Sequence, residues 1–141
     1  MNEVQLETGD WVLQGPQAKR IRFEVFVREQ QIDPALELDE FDAVSVHCLA
    51  WVGGQLAGTG RLLPDGHIGR MAVLEPFRRH GVGGLILERL VSEAFARGHQ
   101  RVELSAQAYV ERFYTEHGFV REGDVYIEAG IEHVSMWRAR S

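Results

Sequence analysis

The sequence lacks the features that mark secreted, disulfide-bonded and membrane proteins. It contains one cysteine in 141 residues, Cys48, which excludes an internal disulfide and is typical of a reducing compartment. No apolar run approaches the roughly 20 residues that a bilayer-spanning helix needs. Residues 1–5 show no basic segment ahead of an apolar one, as a secretion signal would. We therefore expect a cytoplasmic protein with no membrane partner.

Positive charge is also scarce. The chain has 15 Lys and Arg against 21 Asp and Glu, a formal net charge of −6. This disfavours a nucleic-acid partner, because phosphate backbones bind basic surfaces, and it suits cationic partners such as amines. The histidines show no spacing to cysteine or acidic residues that indicates a metal site. Apolar residues make up 45% of the chain, enough for one core, and we expect residues 1–141 to form one domain.

Hydrophobic periodicity and turn residues predict alternating helices and strands. After a first short strand ending near 10–12, the predicted helices are 17–28, 83–97 and 108–117, and the predicted strands are 44–52, 55–63, 67–73, 101–104, 119–122 and 126–137. Within the last of these, Glu128-Ala129-Gly130 marks a break. This order predicts an α/β (α+β) fold, in which a mixed, mostly antiparallel central sheet is flanked by helices and carries a right-handed strand–helix–strand crossover.

The clearest chemical signal is segment 75–84, EPFRRHGVGG, between a predicted strand and the long helix. Its glycines allow close backbone approach, and no Ser, Thr, Asp or Asn stands where a side chain would cap the first helix amides. Free amides at a helix N-terminus bind phosphate, and Arg78, Arg79 and His80 precede them. A glycine-rich turn with solvated arginines is the alternative. Walker and Rossmann nucleotide loops are excluded, because G-x-x-x-x-G-K-[ST] and G-x-G-x-x-G are absent.

Three blocks, taken in order, resemble the GNAT N-acetyltransferase superfamily. Segment 78–83 matches the R/Q-x-x-G-x-G/A loop of that superfamily and follows a strand, as the loop does there. Segment 108–119, with Phe113-Tyr114 and Gly118-Phe119, is similar to its F/Y-Y-x-x-x-G-F block. The likeness is greatest to the ElaA-like subgroup, and it extends over 25–30, 60–64, 106–108 and 126–133.

The resemblance implies acetyl-CoA as the co-substrate and no metal. In the family, the strand before the loop pairs with the pantetheine arm, and the loop amides hold the pyrophosphate. A later strand, here 101–104, splays to admit the thioester. The residues implied to contact the cofactor are Met71, Ala72, Val73, Arg78, Arg79, His80, Gly81, Val82, Gly83, Gly84, Gln107 and Phe113. Gln107 stands near the position where many members have asparagine.

Tyr114 matches the family tyrosine that protonates the thiolate leaving group. A phenol with a pKa near 10 is a suitable donor to a departing thiolate. The implied activity is transfer of the acetyl group to a primary amine by direct attack in a ternary complex. A tyrosine that only packs in the core is the alternative.

The general base and the acceptor are not readable from the sequence. The acidic segment 37–42 offers Glu37 and Asp39, and His47 and His133 are the histidine candidates. Each also has a structural interpretation, as part of a solvated acidic loop or as a histidine satisfied in a strand. The acceptor is expected to be a small amine or an exposed protein lysine.

Three rival interpretations stay open. The chain could be a non-catalytic acyl-CoA-binding sensor, a structural protein that has lost the ligand, or an enzyme for a longer acyl group. The sequence also leaves a homodimer open. A nucleophilic role for Cys48 is not expected, because the residue lies in an apolar run where burial would make the thiol inert.

Overall fold

The computed structural model describes residues 3–141, which form two sheets covered by helices. The strands are β1 (Val4–Gly9), β2 (Val46–Val52), β3 (Gln55–Leu62), β4 (Ile68–Val73), β5 (Arg101–Gln107), β6 (Val120–Glu128) and β7 (Ile131–Ala139). The helices are α1 (Trp11–Arg22), α2 (Pro34–Glu37), α3 (Val82–Ala96) and α4 (Glu111–Glu116), with a π-helix over Phe23–Glu29 and 3-10 turns over Glu40–Val44, Glu75–Phe77 and Ala108–Val110. The mixed, mostly antiparallel fold predicted from the sequence is confirmed.

The two sheets meet along β4 and β5, which run parallel and are connected through α3. The first sheet has the order β1-β2-β3-β4 and the second has the order β5-β7-β6, each with antiparallel neighbours. A single parallel bridge, between His67 and Glu103, joins them within the described residues. There the amide of Glu103 donates to the carbonyl of Gly66 at 3.2 Å. The two strands are therefore held together at one end and separate toward the other.

A bulge in β4 accounts for this separation. Thr59 lies opposite Ala72, but Arg61 lies opposite Gly69, so β4 carries one extra residue between these pairs. Arg70 at the bulge has a φ of 50°, a left-handed conformation that is uncommon for a residue other than glycine. Because an extra residue interrupts the ladder and bends its strand, β4 turns away from β5 beyond this point.

Helices pack on both faces of the sheets. The buried face of α3 contributes Ile86, Leu87, Leu90, Val91 and Ala94, in the same apolar cluster as side chains from β5 and β7. On the opposite face, Ala18 and Ile21 of α1 cluster with Leu49 and Ala72. In the part of the chain that the structure describes, no helix has the length and apolarity needed to cross a bilayer.

The prediction for residues 10–17 was wrong. Asp10 does not end a strand but caps α1, because its carboxylate accepts the amide of Leu13 at 3.0 Å. The helix therefore begins at Trp11 rather than Gln17, contains Pro16, and continues through the π-helix to Glu29. Strand β5 also extends to Gln107, beyond the predicted end at 104.

Candidate active site

The opening between β4 and β5 forms a cleft with exposed backbone. Met71 and Gln107 each lie four residues beyond the His67–Glu103 bridge, and no further pairing joins the two strands among residues 3–141. The amide of Leu74 donates to Ala57 in β3 at 2.8 Å. Because peptide groups are planar and trans, the carbonyl of Val73 points the other way, toward the cleft. The edge of β4 is thus available to an extended ligand.

Free amides line the end of this cleft at the start of α3. Gly81 occupies the N-cap position with a φ of 81° and offers no side chain. The amide of Leu85 bonds to the carbonyl of Gly81 at 3.1 Å, whereas the amides of Gly83 and Gly84 find no partner in the described chain. A helix N-terminus of this kind carries partial positive charge and binds anions. The anion loop predicted from the sequence has this local geometry.

The side chains of Phe113 in α4 and His117 at its C-terminal end lie beside this loop. A Cβ on Gly84 would lie 3.0 Å from two atoms of the His117 ring, so only glycine allows the present distance. A Cβ on Gly83 would lie 3.6 Å from Phe113. His117 is itself held by Glu88, whose carboxylate is 2.8 Å from Nδ1. The short helix α4 therefore lies directly against the glycine step, with Phe113 facing the loop.

Arg78 spans one edge of the cleft. Its Nε donates to the Val73 carbonyl at 2.8 Å, and its Nη2 donates to Glu29 at the end of the π-helix at 2.7 Å. Arg79 and His80 are exposed, whereas Val82 is buried and anchors the helix in the core. Of the basic side chains that the sequence places at the loop, Arg78 is the one held by the protein.

Tyr114 is buried in α4, and its hydroxyl has no hydrogen-bond partner among the described residues. Its ring meets Phe113 and Phe119 edge to face, with centroids 5.0 and 6.0 Å away. Burial raises the pKa of the Tyr114 hydroxyl to about 12. The group therefore stays protonated near neutral pH and is able to donate a proton.

The side-chain amides of Gln107, at the end of β5, and Gln30 form a pair. Gln107 and Gln30 exchange hydrogen bonds of 2.8 and 3.2 Å, and Gln30 lies 3.4 Å from the hydroxyl of Tyr109. Gln30 follows the π-helix, so this pair links the N-terminal part of the chain to the end of β5. The sequence did not single out Gln30 or Tyr109; the signal for Gln30 was the likeness of segment 25–30 to the ElaA-like subgroup, and Tyr109 lies in the matched segment 108–119.

Three of the four acidic residues of segment 37–42 are bound by arginines, whereas Glu40 is exposed. The arginine cluster consists of Arg22, Arg61 and Arg70 with Glu37, Asp39 and Asp42. Arg22 contacts Glu37 at 2.9 Å and Asp42 at 2.8 Å, and Arg61 contacts Asp39 at 2.7 Å. The hydrogen bond from Arg61 lowers the pKa of Asp39 to about 2. A carboxylate with so low a pKa is a weak base.

The two candidate histidines lie at different ends of the sheets. His47 pairs with Arg61 in the register of β2 and β3, near the bridged end, and its Nε2 lies 2.9 Å from the carbonyl of Asp42. Burial lowers the pKa of His47. His133 pairs with Gln107 in the register of β7 and β5, at the open end of the cleft. The structure thus brings His133, and not His47, next to Gln107.

Cys48 lies in β2 and is fully buried. Desolvation raises the pKa of its thiol to about 12. The thiol is therefore neither accessible nor ionised near neutral pH, which agrees with the inert role expected from the sequence.

Comparison with known families identifies the fold. The family model described as "Acetyltransferase (GNAT) domain" matches residues 14–139. The chain belongs to this GNAT family. The match includes the cleft, the glycine loop and the helix of Tyr114, so the resemblance seen in the sequence is confirmed.

Individual relatives agree with this assignment. A Bacillus subtilis protein named "Uncharacterized N-acetyltransferase YjcF" is 35% identical over 122 residues, covering 84% of this chain and 87% of the relative. A crystal structure of an acyl-CoA N-acyltransferase from Pseudomonas aeruginosa has a TM-score of 0.85 at 33% identity, covering 97% of this chain and 100% of the other. Escherichia coli ElaA has a TM-score of 0.84 at 28% identity, with coverages of 96% and 99%. The protein is an acyl-CoA-dependent N-acetyltransferase of the GNAT family.

The residues present fit an acyl-CoA. The unpaired amides of Gly83 and Gly84 suit a diphosphate. The edge of β4, where only Arg78 donates to the Val73 carbonyl among the described residues, suits an amide-containing arm, and β4 and β5 have separated at the level of Met71 and Gln107. Tyr114 and Phe113 lie on the helix that borders the same loop. Glu37, Asp39 and His47 are instead grouped in or beside the arginine cluster.

Proposed function

We propose that this GNAT protein transfers the acetyl group of acetyl-CoA to a primary amine, on a small molecule or an exposed protein lysine, by direct attack in a ternary complex. The observation that carries the proposal is the pair of unpartnered amides at Gly83 and Gly84, at the mouth of the cleft between β4 and β5. We further propose that residues 1–141 act as one acetyltransferase domain.

The loop and β4 bind different parts of acetyl-CoA. The amides of segment 81–84 hold the diphosphate, and the backbone of Met71, Ala72 and Val73 pairs with the pantetheine arm. Since Arg78 now donates to the Val73 carbonyl, it shares or leaves that acceptor when acetyl-CoA binds. The exposed Arg79 and His80 contribute charge near the phosphates, and Phe113 packs beside them.

The chemistry needs a neutral amine, donors for the oxyanion and a proton for the thiolate. The bulge in β4 leaves backbone amides near Met71 facing the cleft, where they can stabilise the oxyanion of the tetrahedral intermediate. Tyr114 supplies the proton to the departing sulfur. Burial raises the pKa of this hydroxyl, which keeps it protonated but makes it a weaker acid, so proton transfer depends on the negative charge that develops on the sulfur.

Gln107, with Gln30 and Tyr109, borders the acceptor side of the cleft. For Glu37 and Asp39 we propose a supporting role instead of contact with the acceptor. Both bind the side chain of Arg70, at 3.0 and 3.3 Å, and so hold the strained bulge in place.

The loop is tested with a pair of glycine variants. Gly81 and Gly54 have φ values of 81° and 80°, and a Cβ at either would meet nothing within 4 Å. Gly81→Val and Gly54→Val therefore impose similar backbone strain, but only the former lies at the phosphate loop. We expect acetyl-CoA to raise the melting temperature of wild type and Gly54→Val, and to leave Gly81→Val unshifted.

The transfer is tested by thiol release. Wild-type protein is incubated with acetyl-CoA, or with longer acyl-CoAs, and a panel of primary amines including a lysine peptide. Release that requires both acetyl-CoA and an amine supports the proposal. A melting-temperature shift without release from any amine would favour the acyl-CoA sensor, and faster release from longer acyl-CoAs would favour a different acyl group.

A further inference from the structure

We infer that His133 is the general base that accepts the proton of the attacking amine, an inference that rests on the proposed acetyl transfer. The register between β7 and β5 determines the position of His133. His133 in β7 lies opposite Gln107 in β5, on the same face of the second sheet. Gln107 is the last residue of β5, at the level of Met71 where the cleft has opened. His133 therefore lies one strand beyond β5, at the level where the cleft is open.

The imidazole of His133 is held in one orientation. Its Nδ1 lies 2.7 Å from the carbonyl of Ile131, and since a carbonyl only accepts, Nδ1 carries the proton. In this tautomer Nε2 is the acceptor nitrogen of the ring. The Tyr126 ring stacks on the imidazole with centroids 6.0 Å apart. A fixed tautomer with a free acceptor nitrogen is the form that a general base requires.

Nε2 of His133 is the unused atom. The side chain is 8% exposed, yet Nε2 has no hydrogen-bond partner among the described residues. The carboxylate of Glu128 lies 3.7 Å away, too far for a hydrogen bond but close enough to stabilise an imidazolium. The groups that face the ring are thus Glu128 and Tyr126 from β6 and the uncharged Gln107 from β5.

The other candidate general bases already contact other groups of the protein. Nε2 of His47 lies 2.9 Å from a backbone carbonyl, near the bridged end of the sheets. Asp39 binds Arg61 and Arg70, and Glu37 binds Arg22 and Arg70. None of these groups combines a free acceptor atom with a position beside Gln107.

The acceptor nitrogen loses two protons in the reaction. An ammonium acceptor first loses one proton to solvent. As its nitrogen bonds to the acetyl carbon, it passes a second proton to Nε2 of His133, directly or through one water. The C–S bond then breaks, the sulfur takes the hydroxyl proton of Tyr114, and solvent exchange returns His133 to neutral and Tyr114 to phenol. The net products are the acetylated amine, CoA thiol and one proton.

The tautomer gives a test that needs no activity. Long-range ¹H–¹⁵N correlation spectra of the histidine rings are recorded at mildly alkaline pH, and the His133 signals are assigned by their loss in His133→Gln. We expect the proton on Nδ1 and none on Nε2. A proton on Nε2 would overturn the inference, because that nitrogen would then be unable to accept one.

Kinetics provide the second test. We expect His133→Gln to lower kcat by about a hundredfold or more and to remove the acid limb of its pH profile, while the acetyl-CoA melting-temperature shift is kept. Free imidazole should restore part of the rate to His133→Ala, in proportion to its unprotonated form. His67→Gln changes an exposed side chain and keeps the backbone bridge to Glu103, so it is the matched control and should keep the wild-type profile.

Different results would contradict the proposed acetyl transfer and the role of His133. A wild-type protein that releases no thiol with any amine overturns the proposed transfer, and the role of His133 with it. Wild-type turnover together with an unchanged kcat and pH profile in His133→Gln overturns the role of His133 alone.

Discussion

The arginine cluster and the cleft are both rich in polar groups, but they differ in how far the chain itself satisfies them. Arg22 is 1% exposed, and each of its guanidinium nitrogens donates to Glu37 or Asp42. Apart from Nε of Arg61, the cluster leaves no buried side-chain N or O atom without a partner in the described residues. In the cleft, the amides of Gly83 and Gly84, the Tyr114 hydroxyl and Nε2 of His133 lack partners.

This difference distinguishes polar groups that stabilise the fold from polar groups that are available to a ligand. Among residues 3–141, the buried side-chain atoms without a partner are Gln14 Oε1 and Arg61 Nε, so the Tyr114 hydroxyl and Nε2 of His133 are open to solvent and to a ligand. Buried charges that serve packing are instead paired, because a buried charge without a partner destabilises the fold. We propose that the substrates bind where the chain leaves its polar groups open, and that the paired charges of the arginine cluster stabilise the scaffold.

The largest effect should come from removing the unpartnered hydroxyl of the cleft. We expect Tyr114→Phe to lower kcat by about 10²- to 10⁴-fold, because the thiolate then leaves without a proton donor. The ring and its packing are kept, so the melting temperature and its shift with acetyl-CoA should stay near the wild-type values. Thiol-release kinetics and thermal unfolding measure both, and an unchanged kcat would remove Tyr114 from the mechanism.

The next effect concerns stability. Arg22→Ala leaves Glu37 and Asp42 short of a buried partner, and we expect it to lower the free energy of unfolding by about 3–5 kcal/mol. Arg28→Ala is the matched control, since Arg28 is an exposed arginine paired with Glu24 at 3.4 Å, a contact worth about 0.3–0.5 kcal/mol. Urea unfolding compares the two. Equal losses would contradict the structural role of the cluster.

The smallest effect is the response of the cluster to acid. The pKa of Asp39 is about 2 in the folded protein, chiefly through the hydrogen bond from Arg61, against about 3.9 in an unfolded chain. Its contribution to stability is thus fully present above about pH 4 and is lost as the pH falls toward 2. We expect the urea midpoint of Asp39→Asn to fall less steeply over this window than that of wild type.

Asp124→Asn removes an exposed carboxylate in β6 and serves as the control for the acid response. It should follow the wild-type curve between pH 4 and pH 2. If Asp39→Asn also follows that curve, the carboxylate of Asp39 is not held by Arg61 as the structure indicates.

Local patterns predicted most of the elements and the binding loop. The apolar face of α3 follows helical periodicity over four turns, and the glycine turns of the meander end its strands, so both were confirmed within a few residues. The start of α1 was missed, because Asp10 acts as a cap only when the chain turns into a helix after it. The expected location and a homodimer stay predictions.

The sequence by itself determined the family, the glycine loop and the identity of Tyr114, because these depend on residue types at short, fixed spacing. Only the tertiary structure decided where the acidic segment and the histidines lie and which groups they contact. Glu37 meets Arg22 and Arg70 across 15 and 33 residues, and His133 lies beside Gln107 through strand register. Such pairings depend on how distant strands and helices pack, and no local pattern specifies them.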